Sequence, residues 1–362
     1  MENFPKEFDS LDSAVRSNAL QETMAYLRPF NMHCHTFFSY NGYGYSPTHV
    51  AAIAAKQGWR AAGLVDFDVL DGVDEFLAAC ADLRVPAVAG METRVFVPEL
   101  AEAEINSPGE PGVAYHLGMN FASSTVPAQW QGFAAELKAK ANGRTRQVVE
   151  KVNTVLKEIA IDFDAEAARR TPAGNVTERH ICSAYREAAE AAFSGAELEA
   201  FWTDRIGEYT ADAVKLEGKI RSKLMKQGGV GYVAPKPENF PTLQEMNAFI
   251  KGCGAIPTVA WLNGLSAGEA DPEALLELHV RNGAGAVTII PDRNWRAADA
   301  EKGAKLTAAL DKFLAACAKF KLPVLAGTEM NAPGQLLADD FTVPALAKHY
   351  SQLAEGADAF SR

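Results

Sequence analysis

The chain has 362 residues, 48% of them hydrophobic, and a formal net charge of −11. That is enough apolar material for one large α/β core or two smaller ones. No apolar run reaches membrane-spanning length, and the acidic excess disfavours broad contact with nucleic acid or an anionic membrane, which need a basic footprint. Five scattered cysteines, never spaced C-x-x-C, argue against a disulfide framework and against a thiolate zinc site. The polar N-terminus lacks the basic-then-apolar layout of a secretory signal, so the expected location is cytoplasmic. The expected partner is a small, anionic molecule received by metals and a few local arginines; the oligomeric state is left open.

In residues 1–26, Phe4, Phe8, Leu11, Ala14, Val15 and Leu20 recur at helical spacing and predict an N-terminal helical extension. A short strand over 27–32 leads into His33-Cys34-His35-Thr36. Successive side chains of an extended segment alternate faces, so His33 and His35 point the same way and Cys34 points back. Two imidazoles on one face can share a metal; alone, they read equally as ordinary loop histidines. An aromatic loop, 37–45, follows. Ser46-Pro47 reads as an N-cap with proline in the first turn, opening a helix that stops at Gly58. The strand 61–65 ends in Asp66-Phe67-Asp68.

A helix over 73–83, a strand over 86–89 and then Gly90-Met91-Glu92 continue the alternation, and a Glu/Pro/Gly loop leads to a strand over 113–115 ending in His116. Residues 130–226 break the rhythm with long charged and apolar alternation and predict a helical insertion. The rhythm resumes with a helix over 243–251, a strand over 255–260 ending at Trp261, and a helix over 272–281. A strand over 286–290 follows, ending at Asp292-Arg293. The last helix, 298–320, precedes a strand over 323–326 and Gly327-Thr328-Glu329-Met330-Asn331. About seven strands alternating with helices imply parallel pairing and right-handed crossovers. Polar residues follow the strand ends and no Gly-x-Gly-x-x-Gly turn follows the first strand, which favours a barrel over a dinucleotide-binding open sheet. The expected organisation is a distorted (β/α)7 TIM-like barrel from 27–129 and 227–362, with the insertion at 130–226.

His33-Cys34-His35-Thr36, Val65-Asp66-Phe67-Asp68 followed by Gly72, Gly90-Met91-Glu92, His116-Leu117-Gly118, Glu178-Arg179-His180-Ile181 and Gly327-Thr328-Glu329-Met330-Asn331 stand in order. Together they resemble the motifs of the polymerase and histidinol phosphatase (PHP) family over about residues 30–335. The resemblance implies a distorted seven-stranded barrel with up to three divalent metals that hydrolyses phosphate esters. Phe67 stands where the family has the histidine of Thr-Asp-His, Trp261-Leu262 where it has His-Pro, and Gly-Thr-Glu-Met-Asn where it has Gly-Ser-Asp-x-His.

Carried over residue by residue, the resemblance gives a first metal His33, His35, Glu92 and Glu329. A second keeps Glu92 and His116 but loses the ligand replaced by Trp261, and a third loses those at Phe67 and Asn331. One site with room for a second therefore remains, for Zn, Mn or Fe. Asp66 and Asp68 are candidate catalytic carboxylates, as proton acceptors or as groups orienting the histidines; as plain caps of the next helix they read equally well. Arg179, His180 and Arg293 are candidates for gripping a substrate anion; the first two read also as solvated helical surface, and Arg293 equally as the salt-bridge partner of Asp292 or of a neighbouring loop. Trp261 and Asn331, a ring and an amide in former ligand positions, are candidate substrate contacts. His49, His279 and His349 fall in helices and receive no role. Three functions stay open: a phosphoesterase for a small phosphorylated metabolite acting through metal-activated water, a one-metal hydrolase of another bond, and a silent metal- or ligand-binding protein.

Overall fold

The computed structural model describes residues 27–361, so the expected extension at 1–26 lies outside the described residues. The chain begins with β1 (Asn31–Cys34), α1 (Pro47–Gln57), β2 (Ala62–Phe67), α2 (Val73–Leu83), β3 (Ala87–Phe96) and β4 (Val113–Met119). A helical segment follows: α3 (Ala128–Asn153), α4 (Phe163–Arg170), α5 (Glu178–Ala192), α6 (Gly195–Ile206) and α7 (Ala213–Ile220). The chain then returns through α8 (Leu243–Gly252), β5 (Ile256–Trp261), α9 (Pro272–Arg281), β6 (Ala286–Ile289), α10 (Ala300–Phe320), β7 (Val324–Ala326), α11 (Pro344–Ala347) and α12 (Tyr350–Phe360).

Local chemistry accounts for the first crossover. Ser46 accepts the His49 N–H at 3.1 Å, Pro47 fills the first turn, and Gly58 ends α1 in the left-handed region at φ 64°.

The seven strands pair in chain order into one nearly closed barrel surrounded by helices. Its seam lies between β1 and the residues after β7. There the His35 N–H donates to the Glu329 carbonyl and the Glu329 N–H donates to that of His33, both at 2.8 Å. Gly327 makes this close approach feasible, because a Cβ there would collide with the Asn31 side chain and the His33 backbone. Among the described residues no helix is long and apolar enough to cross a membrane.

One expectation is corrected. Pairing is parallel for β1–β2–β3 and β5–β6–β7, but β4 is antiparallel to both neighbours. The β3–β4 connection contains only a 3₁₀ turn, at Pro98–Leu100. A parallel partner requires a crossover helix to carry the chain back; without one, the chain returns as the antiparallel strand.

The core divides along the barrel wall. Phe76, Trp59 and Phe249 lie in the cluster beside β1–β3, and Trp261, Phe313 and Phe30 in the cluster beside β5–β7. The helical segment between β4 and β5 holds a third cluster of its own, with Val152, Tyr185, Trp202 and Ile220 buried together.

Candidate active site

A cavity of about 620 Å³ opens at the barrel mouth under the helical segment, a size suited to a small-molecule ligand. His33 and Glu92 line its floor, and there they meet a third buried side chain, His35. His33 Nε2 lies 3.3 Å from His35 Nε2, and Glu92 Oε2 lies 3.3 Å from the first and 3.2 Å from the second. Parity brings them together: His33 and His35 share a face of the extended chain, and Glu92 on β3 faces inward from the second strand over.

Two hydrogen bonds set the ring orientation. Ser39 Oγ gives its one proton to Asp66 Oδ1 at 2.7 Å, so toward His35 Nδ1, at 3.4 Å, its oxygen accepts. His33 Nδ1 has Thr288 Oγ1 at 3.3 Å. With ring protons assigned to both Nδ1 atoms, both Nε2 lone pairs face the Glu92 carboxylate. Three acceptors crowded at this spacing call for a cation. Ligands held about 2.0–2.1 Å from a tetrahedral zinc lie about 3.3–3.4 Å from one another, which is the spacing here. The residues therefore fit a divalent metal. Burial works against the charge on Glu92, but the two imidazoles prevail and hold its carboxyl at about 2.

The remaining candidates fall in different places. Glu329 reaches the cavity, but its Oε2 accepts from Arg293 Nη2 at 2.6 Å and Gln335 Nε2 at 3.0 Å. Its backbone sits at φ 69°, in the left-handed region. The four-ligand expectation thus becomes three ligands with an engaged carboxylate beside them. Arg293 pairs with Glu329, while Asp292 pairs with Arg296 at 3.3 Å.

His116 is turned away. It pairs in register with Thr93, while its neighbour Tyr115 pairs with Arg94 and lines the cavity. The His116 ring instead meets Asn247 Oδ1 at 2.6 Å, close to His279 at a ring separation of 6.0 Å. Burial depresses His116 to about 4. A strand reversed in direction does not end at the cavity, and its alternation puts Tyr115 inside and His116 outside.

Asp66 is buried and saturated by the Thr36 N–H at 2.7 Å, Thr36 Oγ1 at 2.6 Å and Ser39. It positions His35 through Ser39 and does not line the cavity. Asp68, at φ 60°, does line it and accepts from Thr93 Oγ1 at 2.5 Å; burial raises its pKa.

Arg179 lines the cavity 5.9 Å from the Tyr40 ring centre. His180 does not: its Nδ1 accepts the Thr177 N–H at 3.1 Å and caps α5, and burial depresses it to about 3. Trp261 borders the cavity, but its indole lies flat on Phe313 at 4.1 Å and 5°. Phe67 stacks on His35 at 4.1 Å. Asn331 lines the wall.

The sequence reading missed a set of charged and phenolic groups. Arg94 donates to Glu110 at 2.6 Å, and Glu178 holds both Arg221, at 2.9 Å, and Lys226, at 2.7 Å. Arg221 begins a π-helical turn, Arg221–Met225, a backbone form frequent at functional sites. The cavity is lined by six Lys/Arg and five Asp/Glu side chains in a chain of net charge −11, so cations are concentrated here against the overall balance. Arg94 carried a signal, since it stands two residues beyond Glu92 on the same strand face.

Neither a family model nor a curated protein sequence matches the chain. Solved structures do. An amidohydrolase from Chromobacterium violaceum, with bound sulfate and no metal, is similar over 91% of this chain and 96% of that one, at 19% identity and TM-score 0.59. A protein provisionally assigned as a metal-dependent phosphoesterase from Bifidobacterium adolescentis is similar over 89% and 96%, at 20% identity and TM-score 0.56. At such identities the likeness speaks for the barrel fold.

Proposed function

We propose that the chain is a PHP-like, metal-dependent hydrolase, cytoplasmic, acting on a phosphoester of a small anionic metabolite. The observation that carries this reading is the convergence of His33 Nε2, His35 Nε2 and Glu92 Oε2 at 3.2–3.3 Å on the floor of a cation-lined cavity. A divalent ion held there supplies Lewis acidity that polarises a phosphoryl oxygen and acidifies water. The chain's own residues do the rest. Arg179, on α5 of the helical segment, grips the substrate anion, and the forked guanidinium suits a phosphate. Tyr115, whose phenol burial keeps protonated, presents a hydrogen-bond donor to the cavity. Asp68, raised by burial, takes or gives a proton beside Glu92. Asp66, through Ser39, keeps His35 in the binding tautomer.

A second reading, a one-metal hydrolase of a different bond, is favoured by the engaged Glu329 and the averted His116, which leave three ligands. Elemental analysis of metal-replete protein, paired with a screen of phosphomonoesters in Mn, Zn or Fe, separates the two. Metal with phosphate release supports the first, and one ion without phosphate release supports the second. Protein that binds no metal overturns both and leaves a silent ligand-binding barrel.

A further inference from the structure

Every cation of the cavity wall except two has a carboxylate partner. Arg94 has Glu110, Arg221 and Lys226 have Glu178, and Arg293 has Glu329. Among the described residues Arg144 and Arg179 form no ion pair. Their surroundings differ. Arg179 stands by the Tyr40 ring. Arg144, from α3, stands 4.9 Å from the centre of the Phe240 ring, and Arg94 stands 5.1 Å from the centre of that same ring.

Two guanidiniums thus share one aromatic ring with a single ion-paired carboxylate, Glu110, between them. Asp68, which also acts on Arg144, forms no ion pair with it and is engaged by Thr93. Burial and the Arg94 charge together depress Arg144 to about 10, and the more distant charges of Asp68, Glu110 and Glu178 offset this only in part. The Phe240 ring packs against the Arg144 guanidinium, and among the described residues no side chain or carbonyl accepts from its N–H groups, although Arg144 lines the cavity.

We propose that Arg144 is an anion receptor, and that the substrate carries an oxyanion, phosphate or carboxylate, which docks on it in the cavity beside Arg94 and Phe240. The inference rests on the reading of this cavity as a substrate site. It adds α3 to the part the helical segment plays in substrate recognition, beside Arg179 on α5.

The test uses full-length protein stripped of metal with chelator, so that a bound ion cannot hold the probe. Arginines are labelled with phenylglyoxal and mapped by mass spectrometry, alone and with inorganic phosphate or malonate. Phosphate and malonate are also titrated against wild type, Arg144→Met and Arg144→Lys. The expected result is protection of Arg144 by at least one probe, and binding of that probe about tenfold or more weaker in Arg144→Met. Arg144→Lys, which keeps the charge without the fork, falls between. Protection by phosphate alone assigns a phosphate, and protection by malonate alone a carboxylate.

Equal affinity in wild type and Arg144→Met, or in wild type and Arg144→Lys should the methionine variant not fold, overturns the inference whatever the metal content. Absence of metal from replete wild type overturns the hydrolase reading whatever the anion binding, so the two failures are distinguishable.

Discussion

Two groups of buried histidines occupy the same barrel and have opposite fates. His33 and His35 face inward, donate hydrogen bonds from Nδ1 and present both Nε2 atoms to a carboxylate. His116 and His279 face the helix layer, where each leaves Nδ1 without a partner and no carboxylate joins them. Residue type and burial are the same. What differs for His116 is strand direction and parity, together with the polar groups that parity supplies, while His279 belongs to helix α9. A histidine at a strand position is a ligand only if the strand points it inward and a second set of groups fixes its tautomer.

The largest effect expected is at the inward pair. Glu92→Gln loses most bound metal and at least about 100-fold in hydrolysis, read by elemental analysis and turnover, since it removes the anionic partner of both rings. His116→Asn keeps wild-type metal content. Loss of metal in that variant would erase the contrast between the two groups.

Ser39→Ala leaves the ligands in place and removes the oxygen that accepts from His35 Nδ1. Metal affinity is expected to fall about 10–100-fold by competition titration. An unchanged affinity would mean that Ser39 and Asp66 only brace the loop.

The outward pair is legible through acid stability. His279 is depressed to about 3 and His116 to about 4 by burial. From pH 6.5 downward the unfolded chain therefore binds protons that the folded chain refuses. Stability is full above the unfolded value and is lost as pH falls toward the folded one. Each group withdraws about 1.4 kcal/mol per pH unit over that window. His279→Met flattens the slope of denaturation free energy against pH by about that amount between pH 6 and 4, and an unchanged slope would place the linkage elsewhere.

The smallest effect sharpens the boundary of the metal site. Arg293→Met releases Glu329 from its 2.6 Å partner and is expected to tighten metal binding by about three- to tenfold, the worth of a freed charge-assisted contact. If affinity does not change, Glu329 is no ligand in waiting.

Much of the inward group was legible in the sequence, because it needs only period-two alternation and the order of strand ends. His33, His35 and Glu92 obey both. The fate of His116 was not legible, because the 97–112 connection carries no pattern that announces a reversed strand, and one reversal changes which neighbour faces the cavity. The partner of Glu329 was equally hidden: the sequence shows Arg293 beside Asp292, while the fold brings it to a residue 36 positions away. Arg144 lies within a charged helical run, where a cation at the cavity wall reads no differently from solvated surface. Helicity could be foreseen there from the pattern, but not which face would close over the barrel.

The seam has a consequence for how the molecule comes into being. The Asn31 amide donates to Thr328 Oγ1 at 2.7 Å across 297 positions, beside the His33–Glu329 backbone bonds that join the first and last strands. A ribosome adding about 5–20 residues per second needs roughly 15–60 seconds to travel that distance. For that interval the emerging chain carries both histidines with no barrel around them. The three side chains of the floor are thus made within the first 92 positions, whereas the hydrogen bonds that brace the strand carrying two of them wait until Thr328 and Glu329 have come round to meet it.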